Sequence, residues 1–296
     1  MSRIEEIIQE LKSKTQDQEG IFYYLPKVTD FQKKEIEFHN KIYQDEAEVH
    51  QLNTLRNKFY HNYFKKYLYQ LPQDSVILEI GSGSGYDLKP LIKKGYQVIA
   101  SDISEESVKS IKTAINDQSS ISNNKIIYLV ADGQNLPLSE NSVTATFMVA
   151  TFHHFENQQK ALAEIKRVTQ KDGLIILAME PSKFMMRFTK LFSQSKSLRI
   201  YHGHSEADET HQGYIKSDFP SVLSPQSSVL KLKRVWLLLG FLHYGLEAIY
   251  RIFKLKKRIK VPLIVEWTLL IIDEILLKIP VINQLNWHWI VVVKDD

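Results

Sequence analysis

The sequence predicts an α/β fold: a seven-stranded, mostly parallel sheet with helices on both faces, N-terminal helices ahead of it and a helical insertion before the last strand. Three observations predict it. Apolar runs of strand length alternate with stretches of helical period from Val76 to Met179. The run Val76–Ile80 passes directly into the alternating glycines Gly81, Gly83 and Gly85, and a helical pattern follows at Leu88, Leu91 and Ile92. Acids stand at strand ends, Glu79, Asp102 and Asp132, and a parallel sheet gathers such ends along one edge.

The elements follow in order. Ile4, Ile7, Ile8 and Leu11 make residues 1–12 an amphipathic helix, and the polar stretch 13–20 reads as loop. Leu52, Leu55, Phe59, Tyr63 and Tyr67 predict a long helix from Asp45 to about Tyr69, packed on the sheet by its aromatic side chains. Residues 1–70 thus form an N-terminal helical segment, and 71–296 the main domain, with Leu71-Pro72-Gln73-Asp74 breaking the helix between them. After the glycine turn a helix runs to about Lys94, where Gly95 suits a C-cap. Strands are expected at Gln97–Asp102, Lys125–Val130, Val143–Val149 and Leu174–Met179, with helices from Glu105 to about Ile115 and from Gln158 to Val168. Ser119–Asn124 reads as polar loop, Lys171-Asp172-Gly173 as a turn, and Phe184, Met185, Phe188 and Leu191 as a further helix. Val229–Trp236 and Trp287–Val293 are the last two strands.

Composition bounds the function. The 296 residues are 44% hydrophobic, enough for a sizeable core, and the absence of cysteine excludes disulfides, thiolate metal sites and thiol nucleophiles. A net charge of +4 is too small to call for nucleic acid as a partner. Met1–Glu6 lacks the apolar core of a signal peptide, and no apolar run reaches the length of a membrane span, so a cytoplasmic protein, soluble or peripheral at a membrane, is expected.

Alternating glycines let a backbone pass close to a ligand, and the helix start behind them offers free N–H groups and a positive dipole end. The dinucleotide fingerprint is G-x-G-x-x-G. Here the third glycine comes one residue early, after Glu79, and Tyr86 stands where that fingerprint has glycine, which disfavours a nucleotide-dependent oxidoreductase. The form Glu79-x-Gly81-x-Gly83-x-Gly85 resembles the first motif of class I S-adenosylmethionine (SAM) dependent methyltransferases. Asp102 lies 21 residues beyond Gly81, at the tip of the next strand, where a carboxylate can accept from both ribose hydroxyls of an adenosine. The likeness continues through Ala131-Asp132-Gly133-Gln134-Asn135-Leu136-Pro137. It extends to Ala163-Glu164-Ile165-Lys166-Arg167-Val168-Thr169-Gln170-Lys171-Asp172-Gly173, which is similar to the group that includes quinone-biosynthesis methyltransferases. The resemblance covers about residues 74–180. It implies a Rossmann-like sheet, SAM as cofactor and methyl transfer. It also implies a cofactor site of Glu79, Gly81, Ser82, Gly83, Gly85, Asp102, Ile103, Asp132, Gly133 and Gln134, with Asp132 at the adenine amino group. Phe38–Tyr43 resembles the segment that often covers the cofactor in this family.

A methyl on a sulfonium is already activated, so the protein must mainly align the acceptor and exclude water, which provides roughly 7–11 kcal/mol in favourable cases. An acidic hydroxyl or carbon acceptor gains from a general base, and histidine suits that task. His153 and His154 follow the fourth strand and are the first catalytic candidates; one of them could instead pack on the cofactor or cap the next helix. His211, in a segment that resembles a cap over the substrate pocket, is the next. The histidines of Tyr201–His211 match no compact ligand spacing, so no metal is expected. No N-P-P-[YF]-like motif follows the fourth strand, which argues against amide nitrogens of DNA or protein. A small-molecule, lipid-like or glycan acceptor, methylated at oxygen or carbon, fits, with a silent SAM-binding module as the rival.

Some 50 residues separate the last two strands, which usually form a direct hairpin in this fold. In this insertion, about 240–284, Glu247, Arg251, Lys254 and Arg258 mark one helical stripe and Leu246, Ile249, Tyr250 and Phe253 another. Lys254, Lys256, Lys257, Arg258 and Lys260 form a basic cluster, and a second helix from Leu263 to Ile279 is apolar nearly all round, with Glu266 and Asp273 on a narrow polar face. Two readings stand: a lid whose apolar faces pack inward, or a basic amphipathic surface, 244–279, in peripheral contact with an anionic membrane.

Overall fold

The computed structural model describes residues 2–44, 53–116, 125–193, 205–219 and 228–294. In chain order the elements are α1 (Arg3–Lys14), β1 (Gln16–Gln18), β2 (Ile21–Tyr24), α2 (Asp30–Gln44), α3 (Leu55–Leu68), β3 (Val76–Ile80), α4 (Leu88–Lys93), β4 (Gln97–Asp102), α5 (Glu105–Asn116), β5 (Ile126–Ala131) and β6 (Val143–Val149). A 3₁₀ turn (Phe152–His154) leads to α6 (Gln158–Val168), β7 (Thr169–Pro181), α7 (Lys183–Ser193), α8 (Glu206–Thr210), β8 (Ser228–Val235), α9 (Leu238–Ile252), α10 (Leu263–Leu276) and β9 (His288–Lys294).

One sheet collects all the strands in the order β1-β2-β5-β4-β3-β6-β7-β9-β8. Its centre, β2 to β7, is parallel, and the outer pairs β1–β2, β7–β9 and β9–β8 are antiparallel. From β3 the chain winds outward first through β4 and β5 and then, on the other side, through β6 and β7. The carboxyl ends of β3 and β6 therefore flank the topological switch point, where such sheets bind ligands. The central strands are apolar on both faces because both are covered: Ile77, Val98 and Val130 pack with α3, α4 and α5, while Leu78, Ile99 and Leu129 pack with α1 and α6.

The sheet has nine strands rather than seven. The polar stretch 13–20, expected as loop, forms β1 and the start of a hairpin, and residues 1–70 are accordingly not helical throughout. Glu19 and Gly20 both take positive φ, 54° and 77°, the two-residue turn whose twist suits a hairpin, and apolar Ile21 and Phe22 then pair β2 onto β5. Of the long helix expected from Asp45, α3 supplies Leu55–Leu68; residues 45–52 and the expected loop 119–124 lie outside the described residues. The turn at Lys171-Asp172-Gly173 is absorbed into β7 as an irregularity with Asp172 at φ 62°.

The insertion also departs from expectation. Lys254 takes φ 47° and α9 stops at Ile252, so the stripe of Glu247, Arg251, Lys254 and Arg258 is not one helical face. Arg258 instead folds back, its Nε donating to Glu247 Oε1 at 2.8 Å. Among the described residues no helix is long and apolar enough to cross a membrane.

Candidate functional site

At the carboxyl end of β3 the three turn glycines all take positive φ, 70°, 51° and 67°. A side chain at Gly81 would strike Thr151, and a Cβ at Gly83 would lie 2.7 Å from the Tyr43 hydroxyl. Glycine is thus required both by dihedral and by space. The turn is tied to β4: Gly81 N–H and Ser82 N–H donate to the Ser101 carbonyl at 2.8 and 3.1 Å, and Gly83 N–H donates to Asp102 Oδ2 at 3.0 Å. Asp102 also accepts from Ser104 N–H at 3.0 Å and from the Ser107 hydroxyl at 2.8 Å. Ile103 beside it is half-buried.

Glu79 is 2% exposed, and its Oε2 has no hydrogen-bond partner. Burial, reinforced by the charge of Asp87, pushes its pKa well above the ordinary carboxylate range. Asp87 itself is held below that range: burial would raise it, but His61 and Lys65, 2.8 and 2.6 Å away, outweigh burial. A buried carboxyl with one oxygen lacking a hydrogen-bond partner, beside a glycine turn, fits a ligand that brings a cationic group.

On the far side of the edge, Asp132 Oδ1 accepts from Gln134 N–H at 2.9 Å and Oδ2 from Gln32 Nε2 at 2.6 Å. Gly133 is packed against Phe155 and Ile80, leaving no room for a Cβ. The Asp132 turn is therefore clamped by α2, which also meets the edge through Asn40, whose Oδ1 accepts from Ser104 Oγ at 2.7 Å. The Phe38–Tyr43 segment expected to cover the cofactor is the second half of this helix.

The three candidate histidines come together beyond β6. Ala150 at φ 50° ends the strand, and the 3₁₀ turn presents His153 and His154 with ring centroids 4.2 Å apart. His211 lies 5.9 Å from His153, its Nδ1 accepting from Gly213 N–H at 2.8 Å. Two carboxylates organise the cluster, and neither was read from the sequence. Glu180, fully buried, accepts from the N–H groups of Thr151, Phe152 and His153 at 2.9–3.1 Å and from His153 Nδ1 at 2.9 Å. Burial would raise its pKa, but His153 and these N–H donors hold it below the usual range. A bulge in β7, with Met179 at φ 55°, aims it there. Glu35 of α2 sits 2.9 Å from His154 Nδ1 and 3.6 Å from His39 Nε2, and accepts from Ala207 N–H at 3.0 Å. Burial opposes its ionisation, but these partners bring its pKa down to about 2. Donor atoms of Glu35, His39 and His154 all lie within 4.8 Å of one another.

An acid closing an apolar strand, the signal that marks Glu79, also marks Glu180, the residue directly after the expected end of its strand. Glu35 carries no comparable signal. Its neighbours Lys33 and Lys34 give it the look of a solvated helix face.

A family profile described as a methyltransferase domain matches residues 78–177. The chain is similar to the ubiquinone/menaquinone biosynthesis C-methyltransferase UbiE of Rickettsia prowazekii, 30% identical over 183 residues that cover 59% of this chain and 72% of that protein. It is also similar to a malonyl-[acyl-carrier protein] O-methyltransferase of Hamiltonella defensa, 29% identical over 104 residues, which cover 35% of this chain and 37% of that protein. Among solved structures, the [4+2]-cyclase SpnF matches with TM-score 0.59 at 12% identity, covering 90% of this chain and 96% of that one. A putative methyltransferase solved in complex with the Haloferax volcanii activator Trm112 matches with TM-score 0.51 at 16% identity, covering 87% and 97%. At these identities the structural likenesses show the fold alone.

Proposed function

The chain belongs to the class I SAM-dependent methyltransferases, and from that premise we propose that it methylates a small, lipid-like aromatic acceptor of the quinol type at carbon or oxygen, with His154 as general base and Glu35 as its positioning residue. Support for the acceptor class comes from the UbiE relative. Support for the chemistry comes above all from one observation, the His154–Glu35 pair at the carboxyl end of β6.

In this reading the Gly81–Gly85 turn, bare of Cβ atoms at its glycines, would let SAM approach the backbone closely, Asp102 would hold its ribose, Asp132 its adenine and Glu79 its ammonium. Bound SAM supplies a sulfonium-activated methyl group. The protein's own work is positioning and proton transfer. α2 closes over the cleft and excludes water. Glu35 would accept a hydrogen bond from the protonated Nδ1 of His154, which leaves Nε2 as the basic nitrogen. Nε2 takes the acceptor's hydroxyl proton as the oxygen, or a ring carbon conjugated to it, becomes nucleophilic. Glu180 fixes the loop that carries both histidines.

The test is transfer of labelled methyl from SAM to a panel of hydroxylated benzoquinols and naphthoquinols. His154→Ala and Glu35→Gln should each lower kcat by about 10²–10³, the range of a lost general base, while SAM affinity by calorimetry stays at the level of the unaltered protein. If both variants kept kcat within about threefold, a factor outside that range, the base assignment would fail. If the unaltered protein bound SAM but labelled no quinol, the acceptor assignment would fail.

A further inference from the structure

The second helix of the insertion is folded with its polarity reversed, although the first buries Leu239 and Tyr244 in the core. Segment 238–286 contains four acidic residues, Glu247, Glu266, Asp273 and Glu274. Glu247, Glu266 and Asp273 are buried. Glu266 pairs with Arg56 of α3, and Glu247 with Arg258. Asp273 accepts from the N–H groups of Leu237, Leu238 and Leu239 at 2.8–3.2 Å, and Glu274 accepts from Lys233 Nζ at 2.6 Å and from the Tyr63 hydroxyl at 2.7 Å. The narrow polar face of α10 therefore points into the protein. Its apolar face points out: Leu263, Ile264, Trp267, Ile271, Ile275 and Ile279 are 41–74% exposed. Phe253 at 69% and Val281 at 74%, before and after the helix in the chain, are also exposed. Lys254, Lys256, Lys257 and Lys260, in the connection between α9 and α10, are exposed as well. Leu270 and Leu277 are buried, but most of the apolar surface of α10 is not packed inward as a lid's would be.

We propose that this face docks the protein in-plane onto an anionic lipid surface. The charge distribution selects that occupant. With every acid of the segment turned inward, the exposed charges beside the apolar stripe are, among the described residues, lysines, which suit lipid phosphates. A second copy of the chain seated on the same face would set like charges against each other around a two-fold axis. The helix dimensions agree. At about 1.5 Å per residue α10 is roughly 21 Å long, too short for a hydrocarbon core of about 30 Å but ample for an interfacial helix. Trp267, half exposed, has the amphipathic ring that such boundaries favour.

The placement is consequential. α3 leads into the start of β3 and so runs back along the strands, which puts Arg56 near the carboxyl edge of the sheet. Glu266 is anchored there by Arg56, and the basic connection is tied to α9 by the Arg258–Glu247 pair. A docked molecule would bring its cleft towards the membrane. The inference does not depend on which acceptor the cleft takes.

The experiment uses the full chain with phosphatidylcholine vesicles and with phosphatidylglycerol-rich vesicles. Trp236, Trp287 and Trp289 are buried, so Trp267 is the exposed reporter. Co-sedimentation with the anionic vesicles, loss of it in high salt, and quenching of Trp267 fluorescence by lipids brominated near the carbonyl are expected. Ile271→Ser/Ile275→Ser should abolish quenching with circular dichroism and SAM affinity retained, and each of Lys256→Gln and Lys257→Gln should weaken partitioning by about fivefold. No sedimentation with either vesicle would overturn the proposal. So would a stable dimer in solution that Ile271→Ser/Ile275→Ser converts to monomer, which would assign the face to a second copy. Because the readouts are binding and fluorescence, failure of methyl transfer to quinols would leave them unchanged.

Discussion

Gly83 shows how much of the site hangs on single residues. Its φ of 51° and the 2.7 Å approach that a Cβ would make to the Tyr43 hydroxyl place two separate demands on it. The left-handed conformation costs a residue with a Cβ about 1–2 kcal/mol, and the contact would push Tyr43, the far end of a flexible chain, out of the cleft. Gly83→Ala should therefore lower stability by about 1 kcal/mol, a few degrees of melting temperature, yet weaken SAM binding by tenfold or more, about 1.4 kcal/mol, in calorimetry. An unchanged affinity would mean that the turn does not approach the cofactor closely. Gly83, Asp102 and Asp132 were legible in the sequence because local rules reveal them: a glycine between a strand and a helix, an acid where an apolar run stops. Glu35 was not, because its significance lies in a partner 119 positions away. Glu180 stayed hidden because a bulge at Met179 carries the strand past its apparent end.

The helices repeat this lesson. Gln158–Val168 has the expected bounds because its apolar period and polar flanks agree with its burial, Ala161, Leu162, Ile165 and Val168 facing the sheet. α10 was legible as a helix, but its orientation was not, since periodicity places the apolar side inward only when water lies opposite. What turns it over is a set of tertiary partners that no pattern in residues 263–279 encodes. Asp273 is the clearest of them. Its carboxylate caps the start of a different helix, α9, by accepting from three consecutive N–H groups, and burial raises its pKa against the pull of those donors. Asp273→Ala would leave those donors buried and unpaired. A capping loss of this kind costs about 2 kcal/mol at its upper end, and the midpoint of urea unfolding should fall accordingly. Asp273→Asn, which keeps an acceptor, should recover about half. If alanine were as stable as asparagine, the carboxylate would not be acting as a cap.

On the scale of the whole molecule, α3 joins the insertion to the cofactor turn. At one end Arg56, 1% exposed, pairs with Glu266 and donates through Nε to His243 at 3.3 Å. Five and nine residues further along, His61 and Lys65 grip Asp87 at the start of α4, directly behind the glycines. The nine-stranded sheet sets the frame, and this helix links the insertion to the cofactor turn through buried charge. Such pairs add little net stability over an apolar pair, but removing one partner strands the other, at a cost of about 3–5 kcal/mol. Burial lowers the Arg56 pKa, with Glu266 opposing, which is the balance expected of a desolvated pair. Arg56→Met alone should therefore be severely destabilising in urea unfolding. Glu266→Gln alone should be destabilising too, since it strands the guanidinium, although the amide oxygen can still accept from Leu55 N–H as Glu266 Oε2 does at 3.0 Å. The double variant should regain most of the loss, giving a coupling energy of about 2–3 kcal/mol at the upper end for contacting residues. Additive losses would show that the insertion is held by its apolar contacts with α3 alone, and that its inward acids are incidental to its attachment.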